Sequence, residues 1–288
     1  MRRAAWTRCL RLLVVASALL WGGCVEKRPE AAPAPSRTDR SATAARAAAG
    51  VPELDALRFG APPLIDGHLD DPGWQAADET APFVDTMTGA PAPFASRARI
   101  GWDATHLYVG VEVDDDFLQS TFTRHDAHLW EQDCVELMVD PDGDGRNYFE
   151  LQVAPTGVTF DTRYDSRRQP QPFGHTDWES HLDAKVAVRG TPNDASADGG
   201  YTVEAAIPWA AFDAGPTPAQ PPRPGDVWRM NLYVLDARPH GQGQRAAAWS
   251  PPLVGDFHVP SRFGRVRFIA PPPPSPRPPP PPAAADTR

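Results

Sequence analysis

Leu107, Val109, Val111 and Val113 alternate with Tyr108, Gly110 and Glu112, and a period of two is the mark of a strand that buries one face. The alternation returns where Val135, Leu137 and Val139 interleave with Cys134, Glu136 and Met138, and where Phe149, Leu151 and Val153 interleave with Tyr148, Glu150 and Gln152. It also fits Arg97–Trp102, Ala184–Arg189, Tyr201–Ile207, Val227–Leu235 and Phe263–Phe268. Helical periodicity is almost absent, and the one helical turn it predicts is at Trp209–Phe212, with Pro208 at its start. Many short strands separated by Gly, Pro and Asp turns, without a strand–helix rhythm, predict an all-β fold. The expected architecture is an antiparallel β-sandwich of jelly-roll-like type over residues 51–269.

The two ends lie outside that pattern. Arg2, Arg3, Arg8 and Arg11 precede the apolar run Leu12–Trp21, which is too short for a permanent membrane span and has the layout of a secretory signal over residues 1–23. The run closes on Leu-Trp-Gly-Gly-Cys, which resembles a bacterial lipoprotein signal, so Cys24 is the expected lipidation site and membrane anchor; ordinary secretion is the alternative. Val25, not Asp, follows Cys24, which directs the expectation to the cell envelope, as an outer-membrane lipoprotein or a periplasmic or surface-exposed protein. Residues 24–50 are rich in Ala, Pro, Arg and Ser and read as a disordered tether. Residues 270–288 form a Pro-rich tail, expected to be extended or disordered.

Loss of the signal removes four arginines and no acid, taking the formal charge from −9 to −13. Such a balance excludes a nucleic-acid partner and disfavours polyanions. Of three cysteines, only Cys134 would remain a free thiol, so no disulfide is expected within the domain.

Trp130 stands just before the strand whose Val135, Leu137 and Val139 face goes inward, which turns Glu136 to the opposite face. An aromatic platform beside a carboxylate suits a sugar: the ring packs on its C–H face and the acid meets its hydroxyls. The same parity turns Gln152 and Glu150, and later Asn231 and Arg229, away from the core. A plain edge-capping Trp over a solvated polar face is the competing reading. Asp140, Asp142 and Asp144, in the run Asp-Pro-Asp-Gly-Asp-Gly, are candidate calcium ligands in a hairpin loop. Leu151 stands where an EF-hand would place its bidentate Glu, and an Asp–Gly turn without an ion explains the loop equally. His125 and His128 lack the partners of a zinc site, and neither a nucleophile elbow, a P-loop nor a dinucleotide fingerprint occurs. Asp114–Asp116 reads as an acidic turn rather than a hydrolytic centre.

Seven blocks in order carry a resemblance. They are Ile65-Asp66-Gly67 with Asp71–Trp74; Trp102-Asp103 with Leu107–Val109; Trp130–Asp133 through Glu136; Gly200–Trp209; Gly225-Asp226 with Asn231; Ala248–Ser250; and Pro260–Gly264. Together they make the chain from about Leu54 to Ile269 resemble a family 9 carbohydrate-binding module of the xylanase-associated type. The resemblance implies a DOMON-like β-sandwich that holds glucan or xylan chain ends between two aromatic rings, with calcium as a structural ion. It assigns the rings to Trp130 and Phe257, the acceptor carboxylate to Glu136 and further hydroxyl contacts to Gln152 and Asn231. Gln152 stands where the family has an Arg, and Phe257 where the xylanase modules have a Trp. Trp74, Trp102, Trp209 and Trp249 fall in the scaffold pattern.

The expected function is therefore non-catalytic saccharide binding by an exported, lipid-anchored monomer, linked to carbohydrate catabolism, with no organic cofactor. Two alternatives differ in class. One is an envelope scaffold module with a decayed sugar site. The other is a haem-binding electron-transfer sandwich, for which Met138, Met230 and several His would supply ligands. No second catalytic domain is expected in the tether or tail.

Overall fold

Twelve strands form among the described residues of the computed structural model, which are 50–213, 217–239 and 242–271. The expected signal peptide, Cys24, the tether to residue 49 and the tail from residue 272 lie outside them. The strands are β1 (Glu53–Arg58), β2 (Val84–Asp85), β3 (Ser96–Trp102), β4 (His106–Val113), β5 (Cys134–Asp140) and β6 (Arg146–Val153). They continue as β7 (Thr159–Ser166), β8 (Asp183–Arg189), β9 (Gly200–Pro208), β10 (Val227–Ala237), β11 (Gln244–Ala248) and β12 (Gly264–Ile269). Ten follow one hydrogen-bonded path, β7-β6-β5-β10-β12-β1-β3-β4-β9-β8, while β11 pairs with β10 and β2.

The sheet bends back on itself. Val135, Leu137, Leu151 and Val153 of its first half meet Val109, Val111, Val203 and Ile207 of its second, so the period-2 residues of both halves share one core. One end of that core is aromatic: Trp228 packs edge-on against Trp209 at 5.7 Å and Phe268 at 5.3 Å. Pairing is antiparallel everywhere except at β1, which runs parallel to both β12 and β3, with Leu54 opposite Val266 and Leu57 opposite Gly101. The sequence reading missed this, because the return from β1 to β3 is the long segment 59–95, and only such a connection lets neighbouring strands run parallel.

A helical turn forms at Trp209–Phe212 as expected, but it is not alone. A five-residue helix α1 (Pro72–Ala76) and single turns at Leu129–Glu131 and Pro260–Arg262 accompany it. Each is too short to show a 3.6-residue period. Trp74 of α1 is fully buried beside Phe59 and Tyr108, and its indole donates to Glu204 Oε1 at 2.8 Å. Glu204 Oε2 accepts the amides of Asp66 and Gly67 at 2.9 and 3.0 Å. This one carboxylate ties the Asp66–Gly67 and Trp74 blocks to β9. No helix among the described residues is long and apolar enough to cross a membrane.

Gly101 faces this cluster, and a Cβ there would meet Phe59 Cζ at 2.1 Å. Phe59 stacks on Tyr108 and meets Trp74 edge-on, so it cannot step aside. Gly101→Ala is expected to cost about 1–3 kcal/mol in a denaturant titration; a cost near zero would show that Phe59 repacks freely.

Candidate functional site

Strand register builds the floor of the site. Tyr233 of β10 stands opposite Glu136 of β5, Glu136 opposite Gln152 of β6, and Gln152 opposite Phe160 of β7. These four form a row on the face away from the main core. The neighbouring row is Asn231, Met138, Glu150 and Thr162. That face is not the solvated polar surface of the competing reading: Glu136, Glu150 and Gln152 are buried, and a second apolar cluster with Leu129, Cys134, Phe160 and Phe263 covers it.

Two rings rise from the floor. Trp130, on the turn before β5, stacks on His128 at 4.4 Å and meets Phe160 and Phe173, each at 5.1 Å. Its carbonyl accepts the Gln244 amide at 2.9 Å. Phe257, on the loop before β12, lies parallel to Tyr233 with centroids 4.3 Å apart, and its carbonyl accepts the Tyr233 hydroxyl at 3.0 Å. Both rings, with Glu136, Glu150 and Gln152 beneath them, line one cleft of about 260 Å³. Each ring is half-buried, with its backbone pinned by a side chain from the sheet, which leaves part of its surface for a ligand.

Gln152 donates its amide to Glu136 Oε2 at 2.9 Å and to Glu150 Oε1 at 2.7 Å. Its donors are thus spent on holding two carboxylates. Glu136 Oε1 has no protein donor, while Glu150 Oε2 has only a longer approach, 3.6 Å from His258 Nε2. Burial, reinforced by Glu150, drives the Glu136 carboxyl well above its ordinary range. Burial also pushes Glu150 up to about 7, although Tyr164 and Gln152 favour its charged form. Asn231 lies elsewhere: its amide donates to the Ser250 carbonyl at 2.8 Å, and its oxygen accepts the Ser250 and Leu232 amides. It is fully buried, does not line the cleft, and fastens β10 to the segment after β11. Met138 and Met230 are fully buried in the two apolar clusters and likewise do not line it.

The far wall is formed by residues that no periodicity in the sequence marks. Asp256 Oδ1 accepts Arg168 Nε at 3.0 Å, Arg168 Nη2 at 2.8 Å and the His258 amide at 3.1 Å, while Oδ2 accepts Arg167 Nη2 at 2.5 Å. Burial works against its charge, but these donors hold the Asp256 carboxyl down at about 2. The latch joins the end of β7 to the loop carrying Phe257, across 88 residues. Burial and the Arg168 charge hold His258 down at about 3, so it is neutral, and its Nδ1 shares a proton with the Tyr148 hydroxyl at 2.8 Å. A pair of successive arginines in an acidic chain was the only signal for this wall.

In the Asp140–Asp144 loop, Asp140 accepts the Gly143 and Gly145 amides at 3.1 and 3.0 Å, Asp142 that of Asp144 and Asp144 that of Arg146. The three residues bring carboxylate oxygens within 4.8 Å of one another. The donor set suits a hard cation, and the loop is also closed by its own hydrogen bonds.

Glu150 gives a pH test. A carboxyl raised from 4.5 to about 7 on folding contributes stability that is full below pH 4.5 and lost as the pH rises through 7. Glu150→Gln lacks that loss. Its melting temperature relative to wild type is expected to rise by about 3–6 °C between pH 4.5 and 8; a constant difference would refute the assignment.

Comparison with known proteins adds to this geometry. The family model described as "Carbohydrate family 9 binding domain-like" matches residues 65–270. Endo-1,4-beta-xylanase A of Thermotoga maritima is 30% identical over 207 residues, covering 72% of this chain and 17% of the xylanase. The Exoglucanase XynX of Acetivibrio thermocellus is 27% identical over 212 residues, 73% of this chain and 17% of that protein. The chain therefore spans about one sixth of the length of these relatives. A solved family 9 carbohydrate-binding module of Caldicellulosiruptor kristjanssonii, in complex with cellotriose, aligns over 78% of this chain and 98% of its own with a TM-score of 0.55 and 20% identity. A solved structure from Bacteroides uniformis aligns over 76% of this chain and 100% of its own with a TM-score of 0.62 and 17% identity. At these identities the structural likeness speaks for the fold.

Proposed function

The chain belongs to the carbohydrate family 9 binding domain-like family, and from that premise we propose that its domain binds the end of a glucan- or xylan-like saccharide in the Trp130–Phe257 cleft without transforming it. One observation carries the reading: two pinned, half-buried rings share a cleft with a buried carboxyl oxygen, Glu136 Oε1, that no protein group satisfies. A sugar presents what such a site lacks, C–H faces for the rings and hydroxyls for the oxygen. The cellotriose complex of the Caldicellulosiruptor module supports the ligand class. So does the match of this chain to one part only of much longer xylanases.

Recognition of a chain end by two rings and a few hydrogen bonds gives roughly −4 to −8 kcal/mol, or millimolar to micromolar affinity. Calorimetric titration with glucose, cellobiose, cellotriose and xylobiose is expected to give saturable heat with at least one of them. No heat from folded protein would replace this reading by that of an envelope scaffold.

The proposal extends to place and state. Lipidated Cys24 would hold the protein, as a monomer, on the cell envelope where exported enzymes release oligosaccharides; incorporation of labelled palmitate by the wild type and not by Cys24→Ala tests it. Calcium in the Asp140, Asp142 and Asp144 loop is part of the same reading, as an accessory ion whose ligands are mostly exposed.

A further inference from the structure

The cleft is short of positive charge. Its lining holds three carboxyls, Glu136, Glu150 and Asp256, and one guanidinium, Arg168. That guanidinium is spent, because Arg168 and the neighbouring Arg167 are both fastened to Asp256. Among the described residues no ammonium or guanidinium lies within ion-pairing distance of Glu136 or Glu150, and Arg168 acts on both only from further off. His258, 3.6 Å from Glu150, is neutral. The bridge between the two floor carboxyls is the amide of Gln152, which donates to both and brings no charge.

A buried carboxyl is stable as a charge only beside a countercharge. Burial first, then Glu150, penalises the charged form of Glu136, whose Oε1 accepts nothing from the protein. A sugar hydroxyl would give that oxygen a donor and leave the penalty in place. An ammonium supplies up to three donors and the missing charge together. The rings favour the same ligand: Trp130, Phe173 and Phe257 line the cleft beside the carboxyls, and a cation is drawn to the face of an aromatic ring. The chain as a whole is acidic, with a formal charge of −9, and attracts a cationic saccharide at long range.

We propose that the Trp130–Phe257 cleft takes a basic amino sugar, the end of a glucosamine chain whose protonated amine pairs with the Glu136–Glu150 floor, in preference to its neutral counterpart. This narrows, and rests on, the reading of the cleft as a saccharide site. Glucosamine keeps the C–H faces of glucose for the rings and exchanges one hydroxyl for the amine, so a single sugar ring serves both halves of the site. N-acetylation of that amine keeps the nitrogen and removes its charge, which gives a neutral control of the same skeleton.

The test is calorimetric titration of the full chain at about pH 6.5, below the titration of an amine, with the disaccharide of glucosamine, its N-acetylated counterpart and cellobiose. The glucosamine disaccharide is expected to bind about 10-fold tighter than either neutral one. Glu136→Gln keeps the shape of the side chain and removes its charge, and should bring the ratio of amino to neutral affinity close to one. Circular dichroism establishes that the variant is folded; should Glu136→Gln not fold, Glu150→Gln takes its place and should lower the same ratio. Neutral disaccharides that bind as tightly as the amino one, or a preference that the folded variant retains, would overturn the amino-sugar assignment and leave the saccharide site standing. No heat with any of the three from folded wild type would overturn the assignment, and with glucose and xylobiose also silent the saccharide site falls with it.

Discussion

Trp130→Ala is expected to lower affinity for cello-oligosaccharides by about 30-fold or more, a loss large enough to remove the calorimetric signal of a millimolar site. The reason lies in where the ring sits. Trp130 is not part of the main core; it is half-buried over Phe160, flanked by His128 and Phe173, and its backbone is held through its carbonyl by Gln244. Truncation leaves the backbone anchor and the underlying Phe160 in place. The melting temperature should therefore fall by only a few degrees while binding collapses. Trp130→Phe should recover most of the binding, because a smaller ring still stacks on a sugar face. Undiminished affinity in Trp130→Ala would remove this ring from the site; an equal collapse of stability would make it a packing residue.

Much of this domain could be read from alternation alone, because β3, β4, β5, β6, β9, β10 and β12 each carry apolar residues at every second position and bury them in one core, against which the half-buried Ala184, Val186 and Val188 of β8 pack. The strands that escaped are those whose pattern is broken by function or brevity. β7 reads Thr-Phe-Asp-Thr-Arg-Tyr-Asp-Ser, with Phe160 and Tyr164 on the cleft face and a buried Asp161 on the other. β2 has two residues. The parallel placement of β1 depends on which strands it meets after long connections, and local periodicity holds no trace of that.

The site divides along the same line. Parity along β5 and β6 turns Glu136 and Gln152 to one face, and register then places them side by side. Parity also turns Asn231 that way, yet one row further along the sheet its amide goes to Ser250. Alternation fixes a face and not a position on it. The wall made by Arg168, Asp256 and His258 rests on contacts between loops far apart in the chain, where no period exists to be read.

Glu136→Met is expected to weaken saccharide binding by about 10- to 100-fold while raising the melting temperature by about 2–4 °C. Methionine keeps the length of glutamate and suits the apolar neighbours Met138 and Tyr233 beside it in the second cluster. In the wild type, Glu136 holds an unpartnered oxygen in a buried place near a second carboxylate, and burial first, then Glu150, displace its titration upward. Removing the carboxylate removes that cost and relieves Glu150, whose partner Gln152 remains; the Gln152 N–H that Glu136 accepted loses its acceptor, which offsets part of the gain. It also removes an oxygen that a sugar hydroxyl would meet. A group retained only for packing would lose stability and binding together when replaced. Opposite signs are the signature of a polar group kept buried for a ligand, and urea titration beside calorimetry on one preparation reads both. Unchanged affinity, or a loss of stability large enough to explain the loss of binding, would return Glu136 to the scaffold and shift the acceptor role in the cleft to Glu150.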